Sequence, residues 1–151
     1  MAIQRYDPTP PWETFEVVLR DERGQLDTNR RPFSAALEAG GEQPSLAIGR
    51  MWLAQYHGWP QAAMSMRDDQ GHAVIVRADN KTPEIWILKC KPSCWRLYFH
   101  VYKDQKRFAY LFARCKKADS QNAGDAKRAR KALDGIARGT SGIGPFRFPH
   151  G

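Results

Sequence analysis

Two alternating runs joined by four polar residues most constrain this chain: Trp95-Arg96-Leu97-Tyr98-Phe99-His100-Val101-Tyr102 and Arg107-Phe108-Ala109-Tyr110-Leu111-Phe112-Ala113-Arg114-Cys115, with Lys103-Asp104-Gln105-Lys106 between them. Aromatic and β-branched runs with a short polar connection read as an antiparallel hairpin. Glu84-Ile85-Trp86-Ile87-Leu88-Lys89-Cys90 precedes them, separated by Lys91-Pro92-Ser93-Cys94, and extends the hairpin to a three-strand meander. If both connections close tightly, Tyr102 opposes Arg107 and Cys90 opposes Trp95. Side chains then alternate between two faces. One face collects Trp86, Leu88, Trp95, Leu97, Phe99, Val101, Phe108, Tyr110 and Phe112, and is a core. The other collects Lys89, Arg96, Tyr98, His100, Tyr102 and Arg107, with Lys116 and Lys117 just past the last strand.

That second face coincides with the charge. Residues 1–95 hold 11 Lys/Arg against 12 Asp/Glu, whereas residues 96–151 hold 13 against 4. The net charge of +8 therefore belongs to the C-terminal third. A local cationic excess interleaved with aromatics is the footprint of a polyanion partner, nucleic acid first. Left exposed, such a sheet face asks for a ligand.

The rest of the chain frames this face. Phe15-Glu16-Val17-Val18-Leu19 reads as a first strand, ended by the charged turn Arg20–Gly24. Pro32 opens a helix that the Gly40-Gly41 pair stops, and Ser45 caps a second helix running to His57-Gly58, with Ile48, Met51, Trp52 and Gln55 along one side. Together they form an α-hairpin. Residues 73–76 give a further short strand. A final amphipathic helix starts from a Ser120 cap and directs Ala123, Ala126, Ala129, Leu133 and Ile136 one way and Lys127, Arg128, Arg130 and Lys131 the other. The expectation is one α+β domain over 15–138, with strand, α-hairpin, a three- to four-stranded antiparallel sheet and a C-terminal helix. A Pro-rich arm (1–14) and a flexible Gly-rich tail (139–151) flank it.

No run approaches the roughly 18 apolar residues of a membrane span, and no signal-peptide core stands at the N-terminus, so a cytoplasmic protein is expected. Cys90, Cys94 and Cys115 are then expected to be reduced, partly buried fillers, with neither a disulfide framework nor zinc-ligand spacing. Trp52, Trp86 and Trp95 are read as core.

The order of elements, and the residues in three of them, are similar to the RelE/ParE toxin superfamily, in particular HigB-like toxins of bacterial and prophage toxin–antitoxin operons. Trp95-Arg96-Leu97-Tyr98-Phe99-His100-Val101 resembles the family's aromatic-Arg-aliphatic-x-aromatic-x-Val strand. Tyr110-Leu111-Phe112-Ala113-Arg114-Cys115-Lys116-Lys117 resembles its apolar strand ending in a Lys pair, with the Ala/Lys/Arg helix after it. The segment from Trp59 to Pro83 and the Ala118-Asp119 pair depart from the family pattern.

The resemblance implies a RelE-like fold and an endoribonuclease that needs no metal or other cofactor, cuts mRNA on the ribosome and is neutralised by a cognate antitoxin. The ribose 2′-OH attacks the adjacent phosphate, leaving a cyclic phosphate and a free 5′-OH. Such a reaction needs a base at the 2′-OH, fixed cations for the charge on phosphorus and a proton for the leaving oxygen. The resemblance places Arg96 and Lys116 at active positions, with Lys89 and Lys91 as the basic residues before the central strand. A guanidinium fits phosphate oxygens with two parallel hydrogen bonds, and a lysine crowded by cations moves towards base duty. The face argument adds His100 as acid or base and Tyr98 as a stacking ring, and Arg107, Arg114 and Lys117 are expected as RNA contacts. Two rivals stand beside this reading: a ParE-like inhibitor that binds a DNA topoisomerase without chemistry, and a non-catalytic nucleic-acid-binding prophage protein.

Overall fold

The structure, a computed structural model, describes residues 11–41, 44–116 and 122–149. Its elements in chain order are β1 (Glu13–Leu19), α1 (Pro32–Ala39), α2 (Ser45–His57), α3 (Gln61–Ser65), β2 (Ile75–Arg77), β3 (Trp86–Lys89), β4 (Trp95–Tyr102), β5 (Arg107–Cys115), α4 (Asn122–Arg138) and β6 (Ser141–Pro145). The fold is α+β, with one six-stranded mixed sheet in the order β2-β3-β4-β5-β1-β6.

The meander forms in the register that its pattern predicts. Tyr102 pairs with Arg107, and Lys89 lies opposite Arg96, one step from the Cys90–Trp95 backbone hydrogen bond of 3.2 Å. Alternation breaks at one place. Tyr98 faces Phe112 while Phe99 faces Tyr110, so Leu111 is an extra residue on β5. A bulge of this kind shifts the side chains beyond it by one position. Phe112, read as core beside Phe108 and Tyr110, consequently moves to the opposite face and joins Leu111 there.

The sheet is larger than the three to four antiparallel strands expected. β1 sits inside it, parallel to β5 with Glu13 opposite Arg107, and antiparallel to β6 with Leu19 opposite Ser141. Thr14 to Val18 are all buried. A strand buried without alternation fills an interior position covered on both faces. Glu16, 0 % exposed in the middle of that run, accepts hydrogen bonds from the Ser34 amide (3.1 Å) and hydroxyl (2.6 Å) and pairs with Arg31 at 3.3 Å. Its charge is therefore fully partnered. β6 comes from the segment read as a flexible tail. Glycines that composition marks as flexible are there for close packing: a Cβ on Gly142 would stand 2.8 Å from a Leu26 methyl. Beyond the strand, Phe146 is buried against Phe33, centroids 5.8 Å apart.

Three layers result. On one side of the sheet Phe33, Leu37, Met51, Ala54 and Ala62 of α1 to α3 meet Leu88, Leu97, Phe99, Phe108 and Tyr110. On the other side Ala126, Ala129 and Leu133 of α4 lie on Val17, Ile85, Tyr98 and Leu111. Their small side chains let the helix axis come close, which is how α4 covers much of the face expected to be open. Ala123 stays exposed, and the Ser120 cap, Lys117 and residues 1–10 of the N-terminal arm lie outside the described residues. The α-hairpin begins and ends as predicted, but Pro44 rather than Ser45 occupies the α2 N-cap position. Gly58, at φ 74°, closes α2 where a Cβ would stand 2.6 Å from the Trp12 ring nitrogen. Trp52 is not core: it is 41 % exposed and stacks on Tyr56, centroids 5.4 Å apart.

The cysteines also depart from expectation. Cys94 and Cys115 form a disulfide, Cα atoms 4.7 Å apart, because the β4–β5 register sets Trp95 opposite Cys115 and so brings Cys94 alongside. Cys90 is a buried free thiol, and burial pushes its pKa up to about 12. Among the described residues, no helix is long and apolar enough to cross a membrane.

Candidate nucleic-acid interface

At the end of the sheet nearest the β3–β4 connection, three strands present cations at directly opposed positions. Lys89 on β3 faces Arg96 on β4, which faces Arg114 on β5. Directly opposed residues share a face, with Cβ atoms about 4.5–5.5 Å apart. The row stands where α4 begins: Asp125, in the first turn of the helix, pairs with Arg114 at 3.3 Å. Lys116 enters from the end of β5, its amide donating to the Cys94 carbonyl at 2.7 Å. Lys91 follows β3.

The electrostatics match this placement. The Lys89 ammonium is held below its ordinary pKa, first by burial and then by the charges of Lys91, Arg96 and Lys116. One lysine thus senses all three of the other cations predicted around it. Arg96 is anchored by its own strand, donating to the Trp95 carbonyl at 2.8 Å, and among the described residues no carboxylate forms an ion pair with Arg96 or Lys89. Arg114 has Asp125 as its partner, whereas Lys89 and Arg96, half-buried without a paired carboxylate among the described residues, favour a bound anion. Guanidinium and ammonium groups in the row suit phosphate oxygens.

A cavity of about 150 Å³ adjoins the row, lined by Arg50, Asp68, His72, Val74, Lys89 and Lys91. Arg50 reaches into it from α2 and donates to the Lys89 carbonyl at 2.8 Å. The other new residues come from the Trp59–Pro83 segment. There an Arg67–Ala73 bridge folds a tight loop, and the Lys89 amide donates to the Val74 carbonyl at 2.7 Å. Sequence reasoning missed Arg50, Asp68 and His72. The only signal was local: Asp68-Asp69-Gln70-Gly71 is a strong turn sequence, which places His72 on the return strand but says nothing about which edge that strand joins.

Other predicted site residues lie elsewhere. Tyr98 is 1 % exposed beneath α4, and burial, followed by the Asp125 charge, pushes its hydroxyl up to about 12; it presents no ring to a base. His100 shares the face but stands four residues along β4 from Arg96, roughly 13 Å away at 3.3 Å per residue. Its Nδ1 lies 2.7 Å from the Glu84 carbonyl and its ring meets Tyr102 edge-on at 4.8 Å. Arg107 is farther still, at the opposite end of β5, with its guanidinium 4.4 Å above the Phe15 ring. The sheet therefore brings together Lys89, Lys91, Arg96, Arg114 and Lys116, buries Tyr98 beside them beneath α4, and separates them from His100 and Arg107.

A second and larger hollow of about 980 Å³ runs along the outside of α4, with Lys81, Lys127, Lys131 and Arg138 at its walls. Arg130 there is bound to Asp79 at 2.9 Å, and although burial opposes it, that contact keeps the Asp79 carboxyl below its usual pKa. Its cations are on the solvent side of the helix, and they do not converge on one point as the β3–β4–β5 row does. Compared with family models, with curated proteins and with solved structures, the chain matches none.

Proposed function

We propose that this protein is a RelE/HigB-like toxin that cleaves mRNA by 2′-OH attack on the neighbouring phosphate, in the cytoplasm and in association with the ribosome, and that a cognate antitoxin neutralises it by covering the cationic row. The observation that carries the reading is the convergence of Lys89, Arg96 and Arg114 on three adjacent strands, with Lys91 and Lys116 close enough to depress the Lys89 ammonium. Five cations around one point exceed what contact with a single backbone phosphate requires. They suit a phosphorane, whose negative charge grows in the transition state.

In this reading Arg96 and Arg114 hold the non-bridging oxygens, and Lys91 and Lys116 add charge. Lys89, with its lowered pKa, surrenders a proton to the departing 5′-oxygen more readily than an ordinary lysine. The order of strand, α-hairpin, meander and C-terminal helix is in keeping with the RelE likeness, while β6 and the α3–β2 segment are additions to it.

The test is induction of the wild type and of Arg96→Ala in bacteria, followed by mapping of RNA 5′ ends with and without translating ribosomes. New 5′-hydroxyl ends that depend on Arg96 are the expected result. Intact transcripts with normal growth would end the toxin reading. Growth arrest with whole RNA and altered DNA supercoiling would favour a topoisomerase inhibitor, and salt-sensitive RNA binding without cleavage would leave a binding protein.

A further inference from the structure

In this reaction Lys89, the lysine of the row held below its ordinary pKa, serves as the proton donor, so the proton acceptor is sought outside the row. The cavity beside Lys89 supplies one. Asp68 and His72 close the loop that reaches it: the Asp68 amide donates to the His72 carbonyl at 2.9 Å, and Asp68 Oδ1 accepts the amides of Gln70 at 2.9 Å and His72 at 2.8 Å. These bonds, the His72 amide first, keep the Asp68 carboxyl below its usual pKa. Asp68 Oδ2 is left facing the His72 Nδ1 at 3.7 Å. That spacing is too long for a hydrogen bond, and it sets the carboxylate beside the ring. The carboxylate sits on the Nδ1 side of a ring whose side chain is 70 % exposed, so Nε2 is accessible.

We propose that His72 is the general base of this site and Asp68 its positioning residue, an assignment that rests on the ribonuclease reading. The juxtaposition carries it: Lys89 lines the cavity that holds His72 and also stands opposite Arg96, so one lysine joins the imidazole to the phosphate-binding row. His72 Nε2 takes the 2′-OH proton as the 2′-oxygen bonds to phosphorus. The bond from phosphorus to the 5′-oxygen breaks, and that oxygen takes a proton from the Lys89 ammonium. The products are a 2′,3′-cyclic phosphate, a 5′-hydroxyl, imidazolium and neutral lysine. Proton exchange with water then restores both groups. The charged groups facing His72 are Asp68 on its own loop, Lys89 and Lys91 from the β3 end, and Arg50 from α2.

The closing experiment measures cleavage of mRNA on translating ribosomes by wild type, His72→Ala, His72→Gln, Asp68→Asn and Arg96→Ala, together with affinity for the same RNA carrying 2′-deoxyribose at the mapped site. His72→Ala is expected to cut about 10²–10⁴-fold more slowly, with affinity within twofold of wild type and partial rescue by added imidazole. The acid limb of the wild-type pH–rate profile disappears in the same variant, because imidazole is the side chain that changes charge near neutrality. Asp68→Asn keeps that limb and lowers the rate less than His72→Ala does. Cleavage at the wild-type rate by both His72 variants while Arg96→Ala is inactive overturns the assignment and leaves the ribonuclease reading standing. Loss of affinity in step with loss of rate, without imidazole rescue, also overturns it, since His72 is then only a contact. Intact RNA with the wild type overturns both.

Discussion

The two ends of the β4–β5 hairpin carry similar side chains and do different things with them. At one end Arg96 lies between Lys89 and Arg114, with Lys91 and Lys116 around it. At the other, His100 is bound to the Glu84 carbonyl and Arg107 lies over the Phe15 ring. Alternation put Lys89, Arg96, His100 and Arg107 on one face, and the Leu111 bulge turns Arg114 to it. No carboxylate among the described residues pairs with Arg96 or Arg107; what separates them is the neighbouring chain, since β1 enters beside β5 and lays the Phe15 ring against Arg107, whereas Arg96 has Lys89 and Arg114 on either side. A cation becomes a ligand-binding group when the fold gathers like charges around it, not because of its place in the strand.

The sharpest way to break this comparison is to remove one arginine from each end. Arg96→Ala is expected to lower cleavage by about 10²–10³-fold, the size of losing a fixed charge at a developing oxyanion, without altering the fold. Arg107→Ala is expected to leave cleavage unchanged and to lower stability by about 1 kcal/mol through the lost cation–π contact. Equal losses of activity in 5′-end mapping would show that both ends touch RNA.

Next in size is the disulfide. Cys94 and Cys115 clamp the ends of β4 and β5 behind Arg96 and Arg114, closing a loop across a separation of 21 residues. The opposite end is held only by the turn at Lys103–Lys106. Cys94→Ser, or reduction of the wild type, is expected to destabilise the fold by about 2–4 kcal/mol, read as a lower Tm under reducing conditions. Unchanged Tm would mean that the strand ladder alone holds the cationic end together. The sequence pointed away from this bond because an odd cysteine set without a secretory context argues for thiols. Only the paired register reveals that two of the three are neighbours.

Other features divided along the same line. The meander register was legible, because period-two alternation puts Trp86, Trp95, Phe99, Phe108 and Tyr110 on one face in one pairing. The α-hairpin was legible from Pro32, Gly40 and Gly58. Contacts between elements distant in sequence were not. Nothing in the strand pattern says that α4 will cover Tyr98, that Leu111 will bulge and turn Phe112 away from the main core, or that residues 141–145 will pair with β1. The burial of β1 on both faces left only a partial trace, the apolar Phe15, Val17, Val18 and Leu19, which read as a first strand and, with Glu16 among them, did not mark it as interior. Within the site, the cations on β3 to β5 could be listed from sequence. Arg50, Asp68 and His72 could not, since they reach it from α2 and from a loop whose docking edge is set by tertiary pairing.

A smaller effect tests whether the row acts as a coupled unit. If Lys89 delivers the proton to the leaving oxygen, activity falls at high pH as that ammonium is lost. Burial and three neighbouring charges place this alkaline limb below the range of an ordinary lysine. Lys91→Met removes one of those charges and is expected to move the limb upward by about a few tenths of a pH unit at moderate salt. A change of similar size should follow Lys116→Met. Arg107→Met, at the far end, should leave the limb where it is.

The smallest expected effect concerns stability, and its sign is opposite to that on activity. A lysine whose folded pKa is lowered binds its proton less tightly in the native state than in the unfolded chain, so at neutral pH its charge opposes folding. That opposition is fully present below the depressed folded pKa. It fades as pH rises through that value towards the ordinary lysine range, where the unfolded chain loses the proton too. Lys89→Met keeps the stem and removes the charge. It should therefore raise stability at pH 7 by about 0.5–1 kcal/mol, while abolishing cleavage, and the gain should shrink as the pH of the denaturation series climbs. The same substitution at Lys103, exposed in the turn at the other end of the hairpin, should change stability by less than about 0.5 kcal/mol at every pH. A stabilised but inactive Lys89 variant would locate the strain of gathering like charges at the Arg96 end, where function and folding pull against each other. A Lys89 variant no more stable than wild type would mean that solvent already screens the row.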